Sequence, residues 1–368
     1  MKVLHILDTL NRGGSEMLTL DVYRNCGNTF DLILVSFSKG DLYNDFASSG
    51  SNYFLIERKK KLDLNVIIKL RKLLKNKNID IIHTHQAFTG LYAAIASLGL
   101  RKIKLVRTFH GYQKKQLFTN FLSKILIPIF DLNISVSYGF IEVLKKESIF
   151  TNKMLKKFQV VYNGIDTNKL IKFNGDLKKE LNIGKDSILV GMVGNFVPWK
   201  DQLTVCRAAK KILEKDYNLY FCFVGAKSPE YKINYDSAYL YCEQNNLLNN
   251  VFFLGKRSDI NNILNSLDIF VFSSIEDTFA ISLVEAMLFD LPTIASDILP
   301  IREITENGKY SILFNTGDSD DLTNKMVNLL RVGIEEYIKN IKPRKYVEKR
   351  FSISNHINTL NKYYNKII

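Results

Sequence analysis

The residues of this chain best placed to do chemistry are two carboxylates flanking a helix start, a lysine beside a glycine turn, and histidines at the ends of apolar runs. The densest stretch runs Ser273-Ser274-Ile275-Glu276-Asp277-Thr278-Phe279-Ala280-Ile281-Ser282-Leu283-Val284-Glu285-Ala286-Met287. It follows an apolar run read as a buried strand, so it is a loop entering a helix. Asp277 and Glu285 lie eight apart, about two turns if the segment between them is mostly helical. One carboxylate on the loop and one on the helix would then reach into the same crevice. Backbone N–H groups of a helix start lack intrahelical partners and form an anion site. Carboxylates accept hydrogen bonds from hydroxyls. Together these features suit a nucleoside diphosphate flanked by sugar hydroxyls. The same residues also read as an ordinary acidic helix start, with Asp277 as N-cap and Glu285 on a solvent face. Taken alone, they leave both readings open.

The elements that must position these groups repeat one grammar twice. Short apolar runs at 3–7, 32–35, 53–56, 79–83, 104–108, 132–136 and 159–162 read as strands, with helical patterns at 15–24 and 63–75. Runs at 187–193, 219–224, 251–254, 268–272 and 291–295 restart the series, with a helix at 202–215 and helices from about 320 onward. Strands alternating with helices predict an α/β fold of two doubly wound parallel sheets facing a central cleft. The boundary falls at Asn163-Gly164-Ile165-Asp166, giving an expected first domain of 1–166 and a second of 167–345, with 346–368 as a final helix.

Composition narrows the function classes. The chain has 368 residues, enough for two domains, and 46% of them are hydrophobic, which excludes a disordered chain. Cys26, Cys206, Cys222 and Cys242 form no CxxC pair, which argues against zinc fingers and for a reducing compartment. No apolar run reaches the roughly 18 residues that span a bilayer, and the first residues lack the h-region of a signal peptide. The expected location is the cytoplasm, with peripheral contact at the inner membrane face open. The net charge is +14, and residues 1–168 hold 25 Lys and Arg against 13 Asp and Glu. That asymmetry suits an anionic partner, or simply a solvated lysine-rich surface carrying Arg58-Lys59-Lys60-Lys61 and Lys114-Lys115. No nucleic-acid motif appears, so none is expected as a partner. The segment 114–130 clusters basic and apolar residues and reads either as a membrane-surface helix or as one packed on the sheet.

The stretch around Asp277 resembles the E-x7-E signature of the retaining, nucleotide-sugar-dependent glycosyltransferases of the GT-B fold, the glycosyl transferases group 1 or family 4. The usual form is S-x-x-E-G-F-G-L-x-x-L-E-A-M. Here Asp277 stands at the first acidic position with Glu276 before it, and register favours Asp277. Other pieces follow in the family's order along nearly the whole chain. Gly13-Gly14-Ser15-Glu16 resembles its G-G-x-E loop, Ile82-His83-Thr84-His85 its H-x-H, and Thr108-Phe109-His110-Gly111 its T-x-H. Val193-Gly194-Asn195-Phe196-Val197-Pro198-Trp199-Lys200-Asp201 resembles V-G-R-L-x-x-x-K-G, with Asn195 where arginine is usual. Gly255-Lys256-Arg257-Ser258-Asp259-Ile260 resembles the loop near the base.

The resemblance implies roles. Lys200 and the backbone from Thr278 through Phe279 and Ala280 to Ile281 would neutralise the leaving diphosphate, with Arg12 or Arg257 replacing the missing arginine. Glu285 would hold the ribose, and Asp277 or Glu276 the sugar hydroxyls. Gly13 and Gly14 would let the backbone approach the donor. His110 would touch the transferring sugar, while His83 and His85 would shape the acceptor side; His5 reads as a core histidine. No DxD motif is present, so no metal and no cofactor are expected beyond the nucleotide-sugar co-substrate. The acceptor would be a glycan or a lipid-linked saccharide of a bacterial surface polysaccharide. Nucleotide-sugar epimerisation, or a non-catalytic basic protein binding anionic lipid or nucleic acid, are the competing readings.

Overall fold

The computed structural model describes residues 1–48, 52–100, 102–111, 117–147, 150–169, 176–215 and 217–368. The Lys114-Lys115 pair lies outside them. The chain forms two compact units, Met1–Asp166 with Phe351–Ile368, and Thr167–Arg350.

The first unit holds seven strands: β1 (Lys2–Leu7), β2 (Asp31–Ser36), β3 (Tyr53–Leu55), β4 (Ile81–Thr84), β5 (Lys104–Phe109), β6 (Leu132–Ser135) and β7 (Phe158–Val160). They run parallel in the order β3-β2-β1-β4-β5-β6-β7. Parallel sheets need both faces covered, and both are. Helices Leu64–Lys77, Ala87–Ser97 and Leu117–Leu126 supply apolar residues to one face, including Leu70, Ala93 and Leu122. Helices Gly14–Asn25 and Ile353–Ile367 cover the other with Leu18, Val22, Ile357 and Leu360. Local sequence sets the helix ends. Asp63 accepts the Asn65 N–H at 3.1 Å to start Leu64–Lys77, and Asn78 ends it in a left-handed turn.

The second unit holds β8 (Ile188–Val193), β9 (Leu219–Val224), β10 (Val251–Gly255), β11 (Ile269–Phe272), β12 (Thr293–Ser296) and β13 (Ile312–Phe314), parallel in the order β10-β9-β8-β11-β12-β13. The short strand β13 is absent from the sequence reading. The return to the first unit comes at Phe351, not at 346. Helix Pro343–Arg350 stays with the second unit, where the Tyr346 hydroxyl donates to the Ile304 carbonyl at 2.8 Å. Tyr346 also stacks on Tyr310 with centroids 3.9 Å apart. Among the described residues no helix is long and apolar enough to cross a membrane.

Candidate active site

In the second unit β8 and β11 are neighbours, paired at Val190–Ile269 and Gly191–Phe270, and the strand order reverses there. Ligands of open α/β sheets bind beyond the carboxyl ends of strands at such a point. The loop after β8 carries Lys200 and the loop after β11 carries Asp277. The two loops are tied together. Lys200 bridges Ser274, the Asp201 N–H donates to the Ser273 carbonyl at 3.1 Å, and the Ser274 hydroxyl donates to the Trp199 carbonyl at 2.7 Å. Asp201 then caps helix Gln202–Leu213 through the Thr204 N–H at 3.1 Å. Gly225 is fixed by this packing: a Cβ there would sit 2.1 Å from the Gly194 carbonyl oxygen.

Lys200 Nζ donates to Asp277 Oδ2 at 2.8 Å, and both side chains are largely shielded, at 13% and 16% exposure. Nζ also stands 3.9 Å from the centre of the Phe272 ring, a cation–π placement. Asp277 Oδ1 accepts the N–H groups of Thr278 at 2.7 Å, Phe279 at 3.0 Å and Ala280 at 2.7 Å. Burial pushes the Asp277 carboxyl pKa up, but Lys200 and these N–H groups outweigh it, and the net pKa is lowered.

This corrects the expected anion site at the helix start. The N–H groups of Thr278, Phe279 and Ala280 already serve the Asp277 carboxylate, and so does Lys200. The short aspartate side chain folds back onto the turn that follows it, so a ligand anion must displace or share a carboxylate. The segment between Asp277 and Glu285 is also only half helical, since the helix is Ile281–Leu288. Ala280 precedes it at φ 49°, ψ 61°, a left-handed conformation where the usual family form has glycine. For an alanine this costs roughly 1–2 kcal/mol. Its side chain and that of Phe279 are buried, which leaves only their backbone to face a donor. Thr278, Ile281 and Glu285 are half-buried, and Glu276 is exposed.

Asn195 is exposed, and its Oδ1 accepts the Ala226 N–H at 2.9 Å. It braces the turn after β9 rather than supplying charge. Arg257 corrects a second expectation. It donates to Glu180 Oε1 at 2.5 Å and to both carboxylate oxygens of Asp259 at 2.8 Å. Two carboxylates therefore use the charge assigned to the donor phosphate, and they hold the Arg257 pKa above its ordinary value.

In the first unit Gly13 precedes helix Gly14–Asn25 in an extended conformation, and Gly14 opens it. Beside them Glu16 accepts from Ser15 Oγ at 2.8 Å and Gln86 Nε2 at 3.3 Å, and burial raises its pKa. Arg12 is exposed; its backbone N–H donates to Asp41 and its guanidinium to Met17 Sδ.

All five histidines of the chain meet in this unit. The register explains it. His5 pairs His83 across β1 and β4, and His83 pairs Val106 across β4 and β5. With a side-chain period of two, His5, His83, His85, Thr108 and His110 then fall on one face. Helix Ile353–Ile367 lies over that face: His356 and Leu360 line the same small cavity of about 10 Å³, and Tyr364, one turn further on, reaches His5 and His83 with its hydroxyl. His110, at the end of β5, places Nε2 2.9 Å from His85 Nδ1. Burial, and then repulsion from the neighbouring imidazoles, pushes the pKa of His5 and His110 down to about 3 and those of His83 and His85 well below the ordinary value. Burial, opposed by the hydrogen bond to the Tyr162 carbonyl, takes His356 down to about 4. Burial thus favours the neutral form of all five.

His83 is 1% exposed and His85 8%, which corrects their expected place on the acceptor side. They stand behind His110. Among the described residues the nitrogens of His5, His83 and His85 are the one group near enough to hold a metal ion, lying within 4.8 Å of one another. Each is already hydrogen-bonded, to another histidine, to Tyr364 or to Thr108. Tyr364 and His356 were missed from the sequence, where only the i, i+8 spacing on an amphipathic helix hints at a shared face.

Two Rossmann-like parallel sheets with these loops define a GT-B glycosyltransferase. The Glycosyl transferases group 1 family matches residues 174–348 and Glycosyltransferase Family 4 matches residues 12–169, and the chain belongs to this family. It is 28% identical over 346 residues to an Escherichia coli UDP-Gal:alpha-D-GlcNAc-diphosphoundecaprenol alpha-1,3-galactosyltransferase, covering 89% of this chain and 88% of that one. It is also 28% identical to the Staphylococcus aureus capsular polysaccharide biosynthesis glycosyltransferase CapH, covering 84% and 85%. The fold matches Anabaena HepE in complex with UDP and glucose at a TM-score of 0.85, with 20% identity and the whole of both chains covered.

Proposed function

We propose that the chain transfers a sugar from a UDP-linked donor to a hydroxyl of a lipid-linked saccharide in surface polysaccharide assembly. On this reading transfer occurs with retention of configuration and without a metal ion. The observation that carries it is the convergence of Lys200 and three backbone N–H groups on one carboxylate, beyond β8 and β11. Lys200 is the cation a leaving diphosphate would meet there, once that group shares or displaces the Asp277 carboxylate. The name of the relative in Escherichia coli, a UDP-Gal-dependent transferase acting on a diphosphoundecaprenol-linked sugar, supports the uridine donor and the lipid-linked acceptor.

The bond from the anomeric carbon to the diphosphate oxygen breaks, and the acceptor oxygen bonds to the same face. The acceptor proton passes to the leaving diphosphate. Lys200 meets the charge that grows on that group, and preorganised cationic and N–H groups of this kind are the strongest catalytic lever a site has. Glu285 holds the ribose and His110 contacts the transferring sugar. A melting screen against UDP, GDP, ADP and their sugar conjugates, with and without EDTA, tests the donor class. UDP ligands at 100 times Kd are expected to add about 2.7 kcal/mol and raise Tm by a few degrees, unchanged by EDTA. Stabilisation by another nucleotide alone, or loss of the effect in EDTA, would refute the reading.

The acceptor's lipid calls for a membrane surface, and helix Leu117–Leu126 offers one. Leu122 and Leu126 are buried, so the helix does pack on its unit, while Phe118, Phe121, Ile125 and, just beyond the helix, Ile129 are 57%, 61%, 46% and 50% exposed. Lys61 Nζ lies 5.1 Å from the Phe118 ring, next to exposed Lys59 and Lys60. An apolar face rimmed by lysines suits anionic lipid. Co-sedimentation with phosphatidylglycerol vesicles is expected to weaken about tenfold in Phe121→Ser, from the loss of one buried aromatic side chain. Equal binding to phosphatidylcholine, or no change in the variant, would count against membrane docking.

A further inference from the structure

The histidines form one continuous chain of hydrogen bonds. His110 Nε2 meets His85 Nδ1 at 2.9 Å, and His85 Nε2 meets His5 Nδ1 at 3.2 Å. His5 Nε2 meets the Tyr364 hydroxyl at 3.2 Å, that hydroxyl meets His83 Nδ1 at 2.5 Å, and His83 Nε2 meets Thr108 Oγ1 at 2.7 Å. A neutral imidazole donates at one nitrogen and accepts at the other, and a phenol has one proton. Once one link has a direction, every link has it. Only two arrangements satisfy the whole chain. In one, His110, His85, His5 and His83 all carry the proton on Nε2 and Thr108 accepts at the far end. In the other, all four carry it on Nδ1 and Thr108 donates.

Two observations choose between them. The Nε2–H form is the tautomer a free histidine side chain favours, and here it is favoured four times over. The Tyr364 oxygen is also much nearer His83 Nδ1 than His5 Nε2. O–H donors make shorter bonds than N–H donors, so Tyr364 donates to His83 and accepts from His5.

We propose that His85, His5, Tyr364 and His83 are positioning residues that fix His110 as the Nε2–H tautomer, so that its Nδ1 is a hydrogen-bond acceptor. This rests on the reading above that His110 touches the transferring sugar, toward which it would then accept from a hydroxyl. The sugar contact is thus set by a tyrosine 254 residues further along the chain. Among the described residues lining the cavity there is no carboxylate to hold an imidazolium.

The test uses the whole protein labelled with [15N]histidine, whose five imidazoles each report their tautomer in long-range proton–nitrogen spectra. His5, His83, His85 and His110 are expected as Nε2–H. His356 is expected as Nδ1–H, because its Nδ1 faces the Tyr162 carbonyl at 2.6 Å, and it serves as the internal control. Tyr364→Phe removes the acceptor of the His5 Nε2–H. His5 then moves its proton to Nδ1 and donates to His85, which does the same toward His110. Three imidazoles exchange tautomer together while His83 and His356 keep theirs.

Thr108→Val reads the chain from its other end and covers the case in which Tyr364→Phe fails to fold. It removes the acceptor of His83, and all four members are expected to switch. Mixed tautomers in the unaltered protein overturn the proposal. So does a change confined to the residue next to the substitution, or a stoichiometric metal ion found by elemental analysis. The spectra need no substrate, so this inference can fail while sugar transfer stands, and the reverse.

Discussion

Lys200→Ala is expected to lower kcat by about a thousandfold while leaving the melting profile of the protein cooperative. Removing one preorganised group that meets charge in the transition state costs on the order of 10²–10³ in rate, and Lys200 supplies a full charge in a shielded place. The substitution also strands Asp277, but three backbone N–H groups still hold that carboxylate. The stability loss is therefore that of one charged hydrogen bond, about 1–3 kcal/mol. Glu285→Ala provides the contrast. A ribose contact made equally in the ground and transition states is lost as a higher donor KM with kcat retained, whereas the Lys200 contact is lost in kcat. Steady-state kinetics with a radiolabelled donor separate the two. Near-normal kcat in Lys200→Ala would remove it from the chemistry.

Acid is the second expected lever. Each of the five histidines has its folded pKa depressed by burial below the ordinary 6.5, to about 3 for His5 and His110 and about 4 for His356. Below pH 6.5 the unfolded chain therefore takes up protons that the folded chain refuses. The stability these groups contribute is fully present above pH 6.5 and is lost as pH falls toward their folded pKa values. Each imidazole removes about 1.4 kcal/mol per pH unit inside that window. Several acting together would exhaust a stability of ordinary size, about 5–15 kcal/mol, near pH 5. Denaturant unfolding between pH 7 and 5 is expected to show an uptake of more than one proton. An uptake below one would mean that water reaches the cluster and the histidines titrate normally. Tyr364→Phe leaves the burial intact and is expected to leave this slope unchanged, so the acid response and the tautomer switch are separable.

The sequence by itself determined a good deal. Two series of short apolar runs divided by helical patterns are local signals, and they predict the two parallel sheets. The carboxyl-end loops with Gly194 to Lys200 and Ser273 to Ala280 follow from where those runs stop. The alternation in His83-Thr84-His85 and Thr108-Phe109-His110 likewise puts each pair on one face of its own strand, because the pleat has a period of two.

Tertiary structure decided the rest. The register of β1, β4 and β5 aligned three strands so that His5, His83 and Thr108 share a face. Helix Ile353–Ile367 brought Tyr364 to His83 across 281 residues, and no local pattern encodes that contact. The same holds for charge. Arg257 and Asp277 read as groups open to a ligand, yet each is neutralised by partners, Glu180 at 77 positions and Lys200 at 77 positions away. A side chain's type is written in the sequence, but its free charge depends on which opposite charge the folded chain leaves beside it.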